Sequence, residues 1–248
     1  DDLIRKTFKN PGFCTTQLAF VKEIDGVKDI WLSDFDGGNS YRLSNNHSIS
    51  TEPAWSRDNH YLSYTLYKPT ATNIIILNLV KTQHKLLASY RGLNAGCAIA
   101  NKSPWAVMTL SKDGYVDLYR KHIETGKLVR LTADEWIEAS PCWSPDDKTI
   151  CFARGKASGK NRPTLFLFST VPKGRPKRLI KLKIEAVSPD WSPVSNKICF
   201  ATRQGEQYTI AEIDMNRKRR QIKLLINADG DWETPVWTAD GRHLVCSR

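Results

Sequence analysis

The feature that most constrains the fold of this 248-residue chain is a short segment that recurs along it. A proline followed two residues later by tryptophan, and then by serine or threonine, occurs at Pro53, Pro141, Pro189 and Pro235. These prolines are 88, 48 and 46 residues apart, so the first interval is two periods of 44 and a degraded copy is expected near Cys97. Periods of this length are typical of repeat architectures such as propellers and solenoids.

Each repeat predicts four short β-strands. The first strand holds the Pro-x-Trp segment and ends in a turn such as residues 144–147, and the second alternates β-forming residues, as in residues 149–153. A third strand such as residues 116–119 leads through a hairpin turn to a fourth such as residues 129–132. Four strands every 44–48 residues indicate one propeller blade per repeat, with the repeated tryptophans packed between blades.

Counting the repeats gives the predicted architecture, an all-β, six-bladed β-propeller of WD-like repeats. The repeats begin near residues 9, 53, 97, 141, 189 and 235. The segments predicted to be innermost in their blades are 53–56, 97–100, 141–144, 189–192 and 235–238. The sixth repeat contains only two strands, so we expect a truncated last blade. Residues 1–12 are predicted to be a short helical remnant of a preceding domain or linker, and residues 13–248 the propeller.

Charge and hydropathy limit the function classes. The chain carries 37 Lys and Arg against 26 Asp and Glu, and a net charge of +11 favours anionic partners without identifying one. No apolar run approaches the roughly 18–20 residues that span a bilayer, so we expect no membrane-spanning segment. The basic runs in residues 173–183 and 217–223 are interpreted as solvated turns at the outer rim, with an anionic surface partner as the alternative. Neither run is interleaved with aromatic residues, so nucleic acid is not an expected partner.

The chain shows no motif for catalysis, metal binding or a cofactor. It has no Cys-x-x-Cys, no nucleophile elbow, no zinc-protease helix and no P-loop, and its five histidines fall at unlike positions of different repeats. We therefore predict no catalytic residue, no metal ligand and no cofactor. Cys151, Cys199 and Cys246 are interpreted as one repeated second-strand position, buried and not paired with each other.

Two patterns together resemble the TolB family. They are the (Ser/Thr)-Pro-x-Trp-Ser repeat and the Asp-Phe-Asp-Gly turn at residues 34–37 followed by Arg42-Leu43. The resemblance covers essentially the whole chain, with departures in the degraded third repeat and at residues 57–59, where Arg-Asp-Asn replaces Pro-Asp-Gly. It implies TolB-like propeller repeats in a periplasmic, non-catalytic scaffold of the Tol–Pal cell-envelope system. The implied partner is a Pal-like peptidoglycan-associated lipoprotein at one mouth of the channel, possible further partners are other Tol proteins, and we expect a monomer.

The partner site is predicted on the loops that enter the first strands, because first strands line a propeller channel and these loops collect at its mouth. Four carboxylates and two tryptophans lie there, so we expect an acidic mouth, with Trp136 and Trp232 as anchors or, equally, as inter-blade packing. The predicted partner-binding residues are Thr51, Glu52, Leu93, Ala95, Gly96, Trp136, Glu138, Ser140, Glu185, Ser188, Trp232, Glu233 and Thr234.

Two other functions stay open at this point. A propeller-type enzyme, either a polysaccharide lyase or the propeller of a peptidase, is the alternative from another class. The peptidase would need an attached hydrolase domain, and the lyase several histidines on inner strands. A third interpretation is a repeat protein that binds an envelope polymer through its basic rim.

Overall fold

The computed structural model describes residues 16–156, 158, 162–171 and 174–248, and the regular structure within these ranges is entirely β. This confirms the predicted all-β class. The helical remnant predicted for residues 1–12 lies outside the described residues.

The strands follow one another as antiparallel meanders. Blade 1 contains β1 (Gln17–Ile24), β2 (Val27–Asp34) and β3 (Tyr41–Arg42). Blade 2 contains β4 (Ile49–Trp55), β5 (Tyr61–Lys68), β6 (Ala71–Asn78) and β7 (Gln83–Ala88). Blade 3 contains β8 (Asn94–Ile99), β9 (Trp105–Leu110), β10 (Asp117–His122) and β11 (Leu128–Arg130). Blade 4 contains β12 (Trp136–Trp143), β13 (Thr149–Lys156), β14 (Thr164–Ser169) and β15 (Lys177–Arg178). Blade 5 contains β16 (Ala186–Trp191), β17 (Lys197–Gln204), β18 (Gln207–Asp214) and β19 (Ile222–Leu224), and a final hairpin contains β20 (Glu233–Trp237) and β21 (Leu244–Ser247).

The blade count differs from the prediction. Five sheets of three or four strands are present among the described residues rather than six blades, because the sixth repeat contributes only the β20–β21 hairpin. A two-stranded hairpin alone is marginally stable in water, so this hairpin depends on its packing against blade 5.

The chain divides into two compact units. The first comprises the described residues up to Gly114 together with Tyr119–Val129, and the second comprises Tyr115–Leu118 and Arg130–Arg248. In the first unit β4 contacts β8, and in the second β12 contacts β16 and β16 contacts β20. Each of these is the first strand of its repeat and lies at one edge of its sheet. Contact between successive first strands agrees with their predicted position as inner strands.

The core consists of side chains packed between neighbouring blades. In the first unit, Ile30 and Leu32 of blade 1 pack with Leu62 of blade 2. In the second unit, Leu165 of blade 4 packs with Phe200 of blade 5. Burying one such side chain stabilises the fold by about 1.5–3 kcal/mol. The repeated tryptophans take part: Trp191 is in the second of these clusters and Trp55 packs against the first, as predicted for inter-blade packing.

The turn between the first and second strands recurs with the same hydrogen bonds. Ser144 Oγ donates to Asp146 Oδ1 at 2.6 Å, and Asp147 adopts a left-handed conformation with φ of 60°. The equivalent hydroxyl–carboxylate bond occurs in residues 56–58 and 238–240. The turn chemistry predicted for residues 144–147 is therefore confirmed.

The cysteine prediction is correct at two positions and wrong at the third. Cys151 and Cys199 are buried free thiols, whereas Cys246 is a free thiol that is only half-buried. Pairing of Val245 with Val236 matches pairing of Cys151 with Cys142, so Val245 occupies the repeated position. Val245 is itself exposed, so both side chains are less covered than their counterparts in blades 4 and 5, where two further strands complete the sheet.

Candidate functional site

The predicted site residues lie mostly within strands rather than in loops. β4, β8, β12, β16 and β20 begin before the proline position of their repeats, so ten of the thirteen residues fall inside these strands. Leu93, Glu185 and Trp232 each come directly before a strand. The prediction that all thirteen lie in entry loops is therefore wrong, because each first strand begins earlier than the Pro-x-Trp segment.

Each first strand contains a β-bulge at the same place. Pairing with the second strand shifts between Thr51 and Ala54, Ala95 and Ala98, Ala139 and Cys142, Val187 and Asp190, and Glu233 and Val236. One residue within each bulge has positive φ, namely Glu52 (54°), Gly96 (61°), Ser140 (49°), Ser188 (50°) and Thr234 (47°). A bulge kinks the strand and re-aims the neighbouring side chains. Five predicted site residues are therefore the five bulge residues.

In the first unit the bulges of two neighbouring blades are joined by a carboxylate. Glu52 Oε2 accepts a hydrogen bond from the Gly96 N–H at 2.9 Å and another from Thr65 Oγ1 at 2.7 Å. Leu93 is half-buried and Ala95 is buried beside this contact. The structure thus brings Glu52, Ala95 and Gly96 together, but it uses the Glu52 carboxylate to hold two first strands.

In the second unit Glu138 is part of a buried network and not of an acidic rim. Its side chain is 0% exposed, and its Oε2 accepts a hydrogen bond from Thr132 Oγ1 at 3.0 Å. Its Oε1 lies 3.1 Å from Arg154 Nε without the alignment of a hydrogen bond, and Arg154 also pairs with Asp134. Burial raises the pKa of Glu138 to about 8, although the Arg154 charge opposes the shift.

Trp136 lies next to this network with cations over its ring. The Arg154 guanidinium is 5.0 Å and Lys156 Nζ is 5.1 Å from the ring centroid, and Lys156 is the cross-strand neighbour of Trp136. Trp136 is half-buried and Lys156 is exposed. A cation held over an indole face is stabilised by the ring quadrupole, which fixes the orientation of both side chains.

A second cluster in the same unit forms around Tyr208. Its hydroxyl donates to Glu185 Oε1 at 2.5 Å, and its carbonyl accepts a hydrogen bond from the Trp232 N–H at 3.0 Å. The hydrogen bond to Glu185 raises the pKa of Tyr208. The guanidinium of Arg248 lies 5.4 Å from the Trp232 ring. Tyr208 also lines a polar groove of about 300 Å³ between residues 204 and 230.

The four glutamates of the predicted acidic mouth have different surroundings. Glu52, Glu138 and Glu185 each bind groups of the protein itself, and Glu233 is exposed. Ser188 is half-buried, and Thr234 is exposed with its Oγ1 2.9 Å from Ser247 Oγ. Sequence reasoning missed the cross-strand partners of these residues. A cation on the neighbouring strand is distant in sequence, and its position opposite a residue is known only once the strand register is known.

Within the ranges that the structure describes, no three His, Cys, Asp or Glu side chains are grouped to hold a metal ion. The same ranges contain no helix long and apolar enough to cross a bilayer.

The repeated four-stranded sheets and the bulged first strands define a β-propeller repeat protein. A family model described as the TolB beta propeller domain matches residues 5–248, and the chain belongs to this family. The Tol-Pal system protein TolB of Desulfosudis oleivorans is 31% identical over 126 residues, which are 51% of this chain and 28% of that protein. The chain therefore spans less than a third of the length of this curated relative.

Two solved structures share the propeller fold. TolB from Acinetobacter baumannii superposes with a TM-score of 0.81 at 20% identity, covering 98% of this chain and 61% of that one. Oligogalacturonate lyase from Vibrio parahaemolyticus superposes with a TM-score of 0.61 at 12% identity, covering 95% and 70%. At such identities the likeness shows the fold alone, and that fold occurs in both a TolB and an enzyme.

Proposed function

We propose that this chain is a periplasmic, non-catalytic binding scaffold of a Tol–Pal system that docks a Pal-like lipoprotein beside its bulged first strands. Membership of the TolB propeller family and the name of the relative from Desulfosudis oleivorans support the assignment to such a system. The proposed contact region lies in the second unit and comprises the predicted site residues there that are not buried, namely Trp136, Ser140, Glu185, Ser188, Trp232, Glu233 and Thr234.

The observation that carries this proposal is the pair of half-buried tryptophans at the entries of β12 and β20. Trp136 has Arg154 and Lys156 over its ring, and Trp232 has Arg248. Tryptophan and arginine are the residue types most enriched among interface hot spots. A ring that is already held in place loses little conformational entropy when a partner packs on it.

The charges around these rings set the chemistry of the partner. Lys156 and Arg248 are exposed, whereas Glu138 and Glu185 bind Arg154 and Tyr208. A partner that places carboxylates beside Lys156 and Arg248 therefore gains attraction without displacing an internal ion pair. Such exposed charges mainly raise the association rate and make it depend on salt.

The enzyme alternative has less support from the same region. In this region the pKa of the Glu138 carboxyl group is raised to about 8, and a general acid can use a shift of this kind. However, Glu138 is 0% exposed and is held between Thr132 and Arg154. A substrate could not reach this carboxyl group without opening the blade, so its role is structural.

Calorimetric titration with the purified soluble domain of the Pal-like lipoprotein from the same organism tests the proposal. We expect Trp136→Ala or Trp232→Ala each to weaken binding by about 2 kcal/mol, roughly 30-fold, because each removes a central aromatic contact. Circular dichroism of each variant checks that the fold is retained.

Two matched controls sharpen this titration. Trp105 is also half-buried, and the Arg120 guanidinium lies 4.7 Å from its ring centroid. It lies at the end of blade 3 opposite to the start of β8, so Trp105→Ala should leave binding unchanged. Replacing the exposed residues 217–220 by alanine should also have little effect. A large loss from the basic run with none from Trp136 and Trp232 would move the site to the basic edge.

A further inference from the structure

Two cysteines face each other across the first two strands of blade 4. Cys142 on β12 is the direct cross-strand partner of Cys151 on β13, immediately after the bulge. Both are buried free thiols, and both belong to the same packed cluster between blades 4 and 5. The Cys142 thiol is close enough to that of Cys151 to form a hydrogen bond with it.

We propose that Cys142 and Cys151 are a disulfide-forming pair that covalently links the first and second strands of blade 4. Directly opposed residues of antiparallel strands have Cα atoms about 4.5–5.5 Å apart. A disulfide requires about 4.4–6.8 Å, so this register brings the two Cα atoms within the range that a cross-link needs.

The other repeats provide an internal control at the same position. The equivalent cross-strand pairs are Ala54 with Ser63, Ala98 with Val107, Asp190 with Cys199, and Val236 with Val245. Among these described pairs, blade 4 alone places a thiol on both strands. Cys199 is opposed by a carboxylate, and its Sγ lies 3.6 Å from the Asp190 carbonyl oxygen and 3.7 Å from that of Pro235. We therefore expect one disulfide, between Cys142 and Cys151.

The oxidant is a second disulfide, carried by a small thiol such as glutathione or by a protein. One cysteine thiolate attacks this external disulfide, forms a mixed disulfide and releases one thiol. The second cysteine then attacks the mixed disulfide and releases the other thiol. Overall the two cysteines lose two electrons and two protons, and the external disulfide is reduced to two thiols.

Burial decides when this exchange takes place. The thiolate is the attacking species, and burial raises the pKa of Cys142 well above its ordinary value. Attack is therefore slow in the closed blade, and the bond forms during folding, before β12 is packed against blade 5. Once formed, the same burial protects it from reductants.

The cross-link would join the two strands that carry Trp136 and the contact between Glu138 and Arg154. β12 holds Trp136 and Glu138, and β13 holds Arg154. The bond would fix the register between these two strands on the far side of the bulge at Ser140. This inference rests on the thiol geometry and does not depend on the proposed function.

The test is oxidative refolding of the full chain in a buffer of oxidised and reduced glutathione. After acid quenching, free thiols are alkylated with N-ethylmaleimide under denaturing conditions, and the disulfide is located by peptide mass spectrometry. We expect the wild-type chain and Cys199→Ala to contain a Cys142–Cys151 disulfide, and Cys142→Ala to lack it. The wild-type map is decisive even if a core variant fails to fold.

A stability measurement gives a second readout on the same samples. Opening the disulfide with a reductant under denaturing conditions should lower the Tm of the wild-type chain by about 5 °C. The same treatment should leave the Tm of Cys142→Ala unchanged. The proposal is overturned if wild-type chain refolded in excess oxidised glutathione keeps both thiols free. A map that joins either cysteine to any of the other four cysteines of the chain instead overturns it equally.

Discussion

The first strands of blades 2 and 4 contain the same bulge and an acidic residue beside it, yet the two carboxylates differ in role. Glu52 occupies the bulge itself, is exposed, and accepts the Gly96 N–H of the next first strand. Glu138 precedes its bulge by two residues, is completely buried and is held by Thr132 and Arg154. Position relative to the bulge therefore decides whether a carboxylate joins blades or enters the core.

The cross-strand partner completes this difference. Glu138 pairs with Arg154, whereas the equivalent position of blade 2 is occupied by Ser50, paired with Leu66. Burying an unpaired carboxylate costs several kcal/mol, so a glutamate at this position requires the arginine opposite it. Blade 2 avoids the requirement by placing a small hydroxyl there, and its glutamate is free to bind the next blade.

The largest expected effect comes from removing the cation opposite Glu138. Arg154→Met should destabilise the fold by about 3–5 kcal/mol in urea unfolding at pH 9, where Glu138 is ionised, because it leaves a buried carboxylate without its cation. Lys156→Met is the matched control, since Lys156 also lies over Trp136 but is exposed. It should cost under about 1 kcal/mol. Equal losses in the two variants would show that stacking on Trp136, rather than the pair with Glu138, stabilises blade 4.

A pH dependence sharpens the same comparison. The pKa of Glu138 is about 8 in the folded chain against an ordinary value of 4.5, so the folded state binds an extra proton between these values. Stability from this group is complete below about pH 4.5 and is lost as pH rises through 8, by about 5 kcal/mol in all. The free energy of unfolding of wild type minus that of Glu138→Gln should fall across this window. A difference that is flat with pH would contradict the raised pKa.

The sequence predicted the repeat but not what its bulges do. The Pro-x-Trp spacing identified the all-β class, the turn at residues 144–147 and the inter-blade tryptophans, because these depend on local residue types repeated at fixed intervals. It did not reveal that residues such as Ser140 and Ser188 have positive φ, although each lies directly before a repeat proline. One extra residue in a strand reverses the face of every residue before it.

The surroundings of the predicted site residues depend on the register in the same way. Trp136 and Trp232 were identified from sequence because aromatic residues stand out between repeats. Their cations were not, because Lys156 and Arg248 are joined to them through strand pairing across a turn. Of the four carboxylates counted for the acidic mouth, the register turns Glu138 inward, whereas Glu52 and Glu233 are exposed.

The smallest expected effect tests the carboxylate of blade 2. Glu52→Ala should lower the free energy of unfolding by about 1.5 kcal/mol, because the Gly96 N–H loses its acceptor and the buried Thr65 hydroxyl loses its partner. Glu233→Ala is the control: it too removes an exposed carboxylate next to a bulge, and it should change stability by less than about 0.5 kcal/mol. Hydrogen exchange should localise the first effect to the Gly96 amide. If exchange there is unchanged in Glu52→Ala, the carboxylate does not join blades 2 and 3.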